Sequence, residues 1–232
     1  MNRLWTADDH LGGANIHRYT GNVFPTKEAR EAAIIRNANG RIKDGDIIIS
    51  VGDFCSYGKE KGVEGSRIKA TQWEKLFKGK WIFMAGNHDA NNSVKFGIES
   101  MVVKIGPYNA FVVHDPKYGY NAPPKCDLVI CGHVHQAWHT QWRKHGKCDI
   151  LYINVGVDVN RYMPISDSEI ISLADREYRK LYIGTKPKVA VTDITCKHDG
   201  TVYKSDHKGG CPACKARAMA ARLNLTKPEN MV

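Results

Sequence analysis

Apolar residues fall at two spacings along the first third of the chain, and the switch between them predicts its elements. Arg3 to Ala7 and Asp46 to Val51 read as short strands, the second almost unbroken Ile and Val. Between them, Thr26 to Asn39 carries its apolar residues at helical spacing. Ser66 to Lys78 does the same, and Lys80 to Ala85 follows as a third strand. Strand, helix, strand, helix, strand is the order of a parallel sheet with right-handed crossovers. The second half changes rhythm. Met101 to Ile105, Ala110 to His114, Asp127 to Cys131, His139 to Lys144 and Asp149 to Asn154 follow one another through short turns such as GPYN and KHGKC, which predicts a second, mixed or antiparallel sheet. A helix is predicted from Asp167 to Leu181, with Ser166 as its N-cap and Glu169 in the capping-box position. The run Gly184-Thr185-Lys186-Pro187 marks a boundary between a domain of residues 1–183 and a tail of residues 184–232.

Composition narrows the class. With 232 residues and 42% hydrophobic positions, the chain can bury a sizeable core without disulfides. No apolar run approaches the roughly 20 residues needed to cross a bilayer, and the N-terminus enters a strand with no signal-peptide pattern, so a reducing cytoplasm is the expected compartment. Cys55, Cys126, Cys131 and Cys148 are scattered and read as small packed residues. Lys and Arg number 34 against 24 Asp and Glu, a formal charge of +10 that favours anionic partners such as nucleotides or nucleic acid.

Candidate chemistry gathers where the strands end. The first runs into ADDH, the second into GDF, the third into GNHD, a later one into VHD and the next into GHVH. Each motif alone is an ordinary turn. Together they deliver Asp, Asn or His at five C-terminal strand ends, the edge at which open α/β sheets bind ligands. Imidazole, carboxylate and amide oxygen are ligands for Mn, Zn and Fe ions. Two such ions need a bridging carboxylate, and as a pair they clamp a phosphoryl group and supply a nucleophile from water near neutral pH.

The ordered set D-x-H, G-D, G-N-H-D, H and G-H-x-H resembles the calcineurin-like metallophosphoesterase superfamily over roughly residues 1 to 180. The resemblance implies an α/β fold, a four-layer αββα sandwich with a dinuclear site on one edge. It implies that Asp8, His10 and His135 hold one metal, that Asn87, His114 and His133 hold the other, and that Asp53 bridges them. His88 is then no ligand; it contacts phosphate and assists the leaving oxygen as general acid. Mn2+ is the expected ion, with Fe, Zn and Ni compatible. Asp9 reads as a solvated loop residue, and Asp89 equally as a group orienting His88 or as a helix cap. The segments GGANIHRYTG and NVGVDVNRYMP resemble bacterial and phage members; His17, Arg18 and Arg161 are candidates to touch substrate phosphate, or plain surface side chains.

The tail carries a separate signal. Cys211 and Cys214 in C-P-x-C form one knuckle of a tetrahedral Zn2+ site, and Cys196 with His198 the other. The Cys-x-His gap is tight, so His207 is a substitute for His198. A stretch with so few large apolar groups has little core unless a metal supplies it. It resembles the zinc ribbons appended to phage and bacterial nucleic-acid enzymes, and KARAMAARLN reads as a short basic helix.

These expectations converge on a dinuclear-metal-dependent phosphoesterase of phosphodiesters in nucleotides or nucleic acid. The alternatives are a phosphomonoesterase acting on protein or small molecules, and a non-catalytic scaffold on the same fold. The scaffold is disfavoured because a scaffold has no need of a complete ligand set.

Overall fold

The computed structural model describes residues 1–184, apart from 22, 61–62, 65, 90–97 and 147, and two short backbone stretches at 194–195 and 202–203. The chain runs β1 (Arg3–Thr6), α1 (Ile16–Tyr19), α2 (Lys27–Arg41), β2 (Ile47–Ser50), a small hairpin of β3 (Lys59–Glu60) and β4 (Val63–Glu64), α3 (Ala70–Glu74) and β5 (Lys80–Phe83). It continues through β6 (Ser100–Ile105), β7 (Tyr108–Val113), a 3-10 turn at Pro116–Asn121, β8 (Leu128–Cys131), β9 (Thr140–His145), β10 (Cys148–Asn154), β11 (Ile165–Ser166) and α4 (Asp167–Gly184). Beyond these, β12 (Ile194–Thr195) pairs antiparallel with β13 (Val202–Tyr203). Cys196, His198, His207, Cys211 and Cys214 lie outside the described residues.

The strands form two main sheets. One has the order β11-β1-β2-β5 and the other β6-β7-β8-β10-β9. β1, β2 and β5 are parallel, with Leu4 beside Ile48 and Ile48 beside Trp81; β11 closes that sheet antiparallel. The second sheet is mixed: β7, β8 and β10 are parallel neighbours flanked by antiparallel β6 and β9.

Period two explains the unbroken apolar runs, because both faces of these strands are buried. Trp5, Ile49, Ala110, Val112, Leu128, Ile130, Leu151 and Ile153 meet in the layer between the sheets. Their neighbours turn outward. Leu4 and Ile48 pack on Ile34 and Ala38 of α2 and on Trp73 of α3, whereas Phe111, Val129, Ile150 and Tyr152 form an outer cluster with Ala122, Cys126 and Trp138. α4 sends Ile170, Ala174 and Tyr178 into the central layer. The architecture is the expected α/β sandwich of two sheets.

Local chemistry sets the helix ends. The Thr26 hydroxyl accepts from Ala29 N at 3.2 Å, starting α2 one residue after the predicted N-terminus. Ser166 and Glu169 form the expected capping box: Ser166 N donates to Glu169 Oε2 at 2.8 Å and Glu169 N to Ser166 Oγ at 3.3 Å. The helix expected over Ser66 to Lys78 shrinks to the five residues of α3. Ser66 Oγ accepts from Ile68 N in a local turn, and Lys69 N donates to Gln72 Oε1, so the backbone enters the helix only at Ala70.

Candidate metal centre

Five loops at the C-terminal ends of β1, β2, β5, β7 and β8 converge, three from one sheet and two from the other. They carry Asp8 and His10, Asp53, Asn87 and His88, His114, and His133 with His135. Asp8, His10 and His135 offer ligand atoms that all lie within 4.8 Å of one another, and so do Asp53, His114 and His133. Asp53 Oδ2 lies 3.5 Å from His10 Nε2 and 3.2 Å from His114 Nε2, between the two groups. Asn87 Oδ1 sits 3.1 Å from His114 Nε2 and 2.8 Å from His133 Nδ1.

The backbone is bent to make this convergence. Asp8, His10, Asp53, His133 and His135 all have left-handed φ, between 44° and 72°; among the described non-glycine residues only Arg161 and Tyr162 share that region. Each costs on the order of 1–3 kcal/mol and persists only where the surroundings over-determine it, as at ligand clamps. Glycines give the side chains room. A Cβ on Gly86 would lie 2.2 Å from Asp53 Oδ1, one on Gly132 or Gly156 2.7 Å from Asp8 Oδ2, and one on Gly52 2.5 Å from His114 Nδ1.

Two of the imidazoles are aimed by a second bond. His114 Nδ1 donates to Val51 O at 2.7 Å, leaving Nε2 toward Asp53 and Asn87. His135 Nδ1 pairs with Asp158 Oδ2 at 2.6 Å. Asp158 is in turn held by Arg30 Nη2 at 3.1 Å, and the same guanidinium donates to the carbonyls of Asp8 and Asp9. The buried amide of Asn154 donates to the carbonyls of His135 and Trp138 and fixes the G-H-x-H turn. Both Asp8 oxygens accept from His133 N, at 2.8 and 2.9 Å, tying the first loop to the last.

Burial and neighbouring charge separate the titrations. Burial raises Asp8 to about 6 and lowers His10 to about 3. Burial also works to raise Asp53, but its hydrogen bond and charge interaction with His114 hold it well below the usual carboxylate range. Burial lowers His114, yet Asp53 and Asp8 overcome it and carry the ring up to about 9. Coordination at Nε2 requires the neutral imidazole, so a cation there takes the place of a proton.

The donor set fits a pair of divalent cations. His10 Nε2 is buried without a hydrogen-bond partner, an orphan that a cation would satisfy. Carboxylate and imidazole donors in two adjoining groups match Mn, Fe, Zn or Ni better than the all-oxygen shells of Ca or Mg.

The remaining candidates fall in different places. His88 is exposed at the mouth, its ring edge-on to His10 at 5.0 Å between centroids, and its backbone N–H donates to Asp53 Oδ1 at 2.8 Å. His17 and Arg18 lie on α1, which joins the His135 turn where Gln136 Nε2 donates to Tyr19 O. Arg161 is exposed on the loop after Asp158, with its carbonyl accepting from Asn37 Nδ2. One expectation changes. Asp9 is not solvated: it is 1% exposed and accepts from the Thr6 hydroxyl, because the left-handed turns at Asp8 and His10 fold it inward. Asp89 Oδ2 accepts from Asp53 N and Gly86 N, so among its contacts it holds the Asp53 backbone. Sequence reasoning missed Arg30, Asp158 and Asn154. The signal for Arg30 was its place on the apolar face of α2, four and eight residues before Ile34 and Ala38.

A two-sheet sandwich whose strand ends bring two carboxylate–histidine groups together belongs to the class of candidate dinuclear metalloproteins. The chain is a member of the calcineurin-like phosphoesterase superfamily, whose domain matches residues 1–164. An uncharacterized protein of Methanocaldococcus jannaschii is 30% identical over 171 residues, 73% of this chain and 89% of that protein. A protein of unknown function from Aquifex aeolicus shares the fold with a TM-score of 0.53 at 22% identity, over 74% of this chain and 98% of that one.

Proposed function

We propose that the chain hydrolyses phosphate esters with two divalent ions, Mn2+ being the first to test, and that its substrates are phosphodiesters of nucleotides or nucleic acid. Asp8, His10 and His135 would hold one ion and Asn87, His114 and His133 the other, with Asp53 shared between the two groups. The observation that carries this reading is the position of Asp53 Oδ2 between His10 Nε2 and His114 Nε2, with Asn87 and His133 completing the second group. Bound there, the ions offset phosphoryl charge and lower the pKa of water.

The chain's own residues do the rest. Val51 O and Asp158 hold His114 and His135 with Nδ1 as donor, so that Nε2 faces inward. His88, exposed beside His10, donates a ring proton to the departing ester oxygen. His17, Arg18 and Arg161 are the cationic or polar groups that steer phosphate toward the mouth. The tail of residues 184–232, with Cys196, His198 (or His207), Cys211 and Cys214 on a structural Zn2+, supplies the nucleic-acid contact.

Full-length protein reconstituted in turn with Mn2+, Fe2+, Zn2+ and Ni2+ should cleave bis(4-nitrophenyl) phosphate and members of a nucleotide and nucleic-acid panel. Preference for 4-nitrophenyl phosphate with no action on DNA, RNA or cyclic nucleotides would show a monoesterase. A metal-free, inert protein would revive the scaffold.

A further inference from the structure

A cavity of about 590 Å³ opens beside the Asn87–His114 edge of the centre, within the range of small-molecule sites. Phe111 and Val113 line it from β7, and Tyr118 and Tyr120 from the 3-10 turn after it. The tyrosines are 44% and 66% exposed, and the Lys117 ammonium lies 4.7 Å from the Tyr118 ring centroid, so Tyr120 offers the more open ring and Tyr118 the face away from that ammonium.

The wall that carries them is built. Asp115 Oδ1 accepts from Lys117 N at 2.9 Å and caps the turn. Pro116 O accepts from Arg143 Nη1, and that guanidinium lies 5.3 Å from the Trp138 ring centroid and 4.7 Å from that of Tyr152. Gly119 is pressed onto β10, since a Cβ there would come 2.3 Å from Tyr152 Oη. The turn is therefore clamped to the outer face of the second sheet, and its rings need little ordering when a ligand arrives.

Charge decides what fits. Glu99 and Asp115 place two carboxylates on the lining against the single ammonium of Lys117, which is already paired with Asp115 at 2.7 Å. A second phosphate is disfavoured there; a neutral, flat, partly polar group is not. Rings are the usual partners of bases, which stack on aromatic side chains without regard to sequence.

We propose that this cavity holds the nucleoside of the substrate, with Tyr118 and Tyr120 packing on the base while the adjoining metal centre takes its phosphate. The inference rests on the phosphoesterase reading only for where the phosphate lies.

Mn2+-loaded full-length protein is compared with its Tyr118→Ala/Tyr120→Ala and Tyr118→Phe/Tyr120→Phe variants on two substrates with one leaving group, thymidine 5′-(4-nitrophenyl phosphate) and ethyl 4-nitrophenyl phosphate. The alanine pair should lower kcat/KM for the thymidine ester about tenfold or more, through KM, and leave the ethyl ester within about twofold. The phenylalanine pair should behave as the parent. Equilibrium titrations with adenosine monophosphate and inorganic phosphate give a readout independent of turnover: the nucleotide should bind the parent more tightly than phosphate, and lose that advantage in the alanine pair. Equal affinity of the two ligands for the parent overturns the subsite, as does an advantage that the alanine pair retains. A parent that cleaves neither ester, yet binds the nucleotide through the tyrosines, overturns the hydrolase reading and leaves the subsite standing.

Discussion

Arg30 is fully buried, and its guanidinium bonds the carbonyls of Asp8 and Asp9 and the carboxylate of Asp158. Removing it leaves Asp158 charged and buried, with the His135 ring as its remaining side-chain partner among the described residues. Arg30→Met should lower the unfolding free energy by about 3–5 kcal/mol, and the Arg30→Met/Asp158→Asn pair by less than the sum of the two single changes, as urea titrations would measure. Asp158→Asn alone frees the His135 ring, so metal affinity should fall about 10- to 100-fold with the fold intact. The roles of the proposed ligands and acid separate in the same way. Asp53→Asn weakens the bridging carboxylate and should lose metal and activity together. His88→Asn should keep both metals and lose turnover by about 10²- to 10⁴-fold. Metal content by elemental analysis checks both, and a His88 variant isolated without metal would make that residue a ligand.

At the scale of the element, the start of α4 is tied to β1 and to α2. Arg3 forks onto Asp167 through Nε at 3.0 Å and Nη2 at 2.7 Å, and Trp5 Nε1 donates to the same carboxylate, so β1 anchors the helix N-terminus. Two residues on, Glu169 bonds Ser166 and pairs with Arg41 of α2. Ser166→Ala should cost about 1 kcal/mol, read by thermal or urea unfolding. Glu169 also predicts a pH dependence. Burial alone would raise its pKa, but the Ser166 N–H and hydroxyl and the Arg41 guanidinium hold it below the ordinary value. A carboxyl depressed in the folded state contributes stability that is full above its unfolded pKa and lost as pH falls through the folded one. Glu169→Gln keeps an acceptor for Ser166 but cannot titrate. Its stability curve below about pH 4.5 should therefore be flatter than the parent's, and an unchanged acid limb would remove Glu169 from the account.

On the scale of the whole molecule, the chain's +10 charge and its tail bear on partner choice. If residues after Thr185 form a zinc module that recruits nucleic acid, deleting them should leave small-ester hydrolysis nearly intact. Nucleic-acid binding should weaken, and the slope of log affinity on log salt should fall. Cys211→Ser should mimic the deletion, since losing one thiolate from a four-ligand site unfolds a module with little core of its own. Filter binding over a salt series, run beside 4-nitrophenyl ester assays, reads both effects. Loss of small-ester activity in the truncated protein would make the tail part of the active-site wall instead.

Much of this molecule is local and therefore legible in the chain. Strands buried on both faces must be apolar throughout, as Ile47–Ile49 and Leu128–Cys131 are, and the Ser166–Glu169 box needs only residues three apart. The five strand-end motifs gather on one edge because parallel strands point their C-terminal ends the same way. Where a side chain is held by something distant in sequence, the chain gave no such guide. Some local features escaped the apolar pattern as well, since the left-handed turns at Asp8 and His10 fold Asp9 inward and the hydrogen bonds of Ser66 and Gln72 delay the start of α3. Arg30 and Asp158 are 128 positions apart, and only packing α2 on the first sheet puts that guanidinium under both loops. Residue type and period follow from short-range sterics and burial, which act within a few residues. The orientation of the His114 and His135 rings depends on partners whose nearness is a property of the packed sheets, and that was settled by the tertiary structure alone.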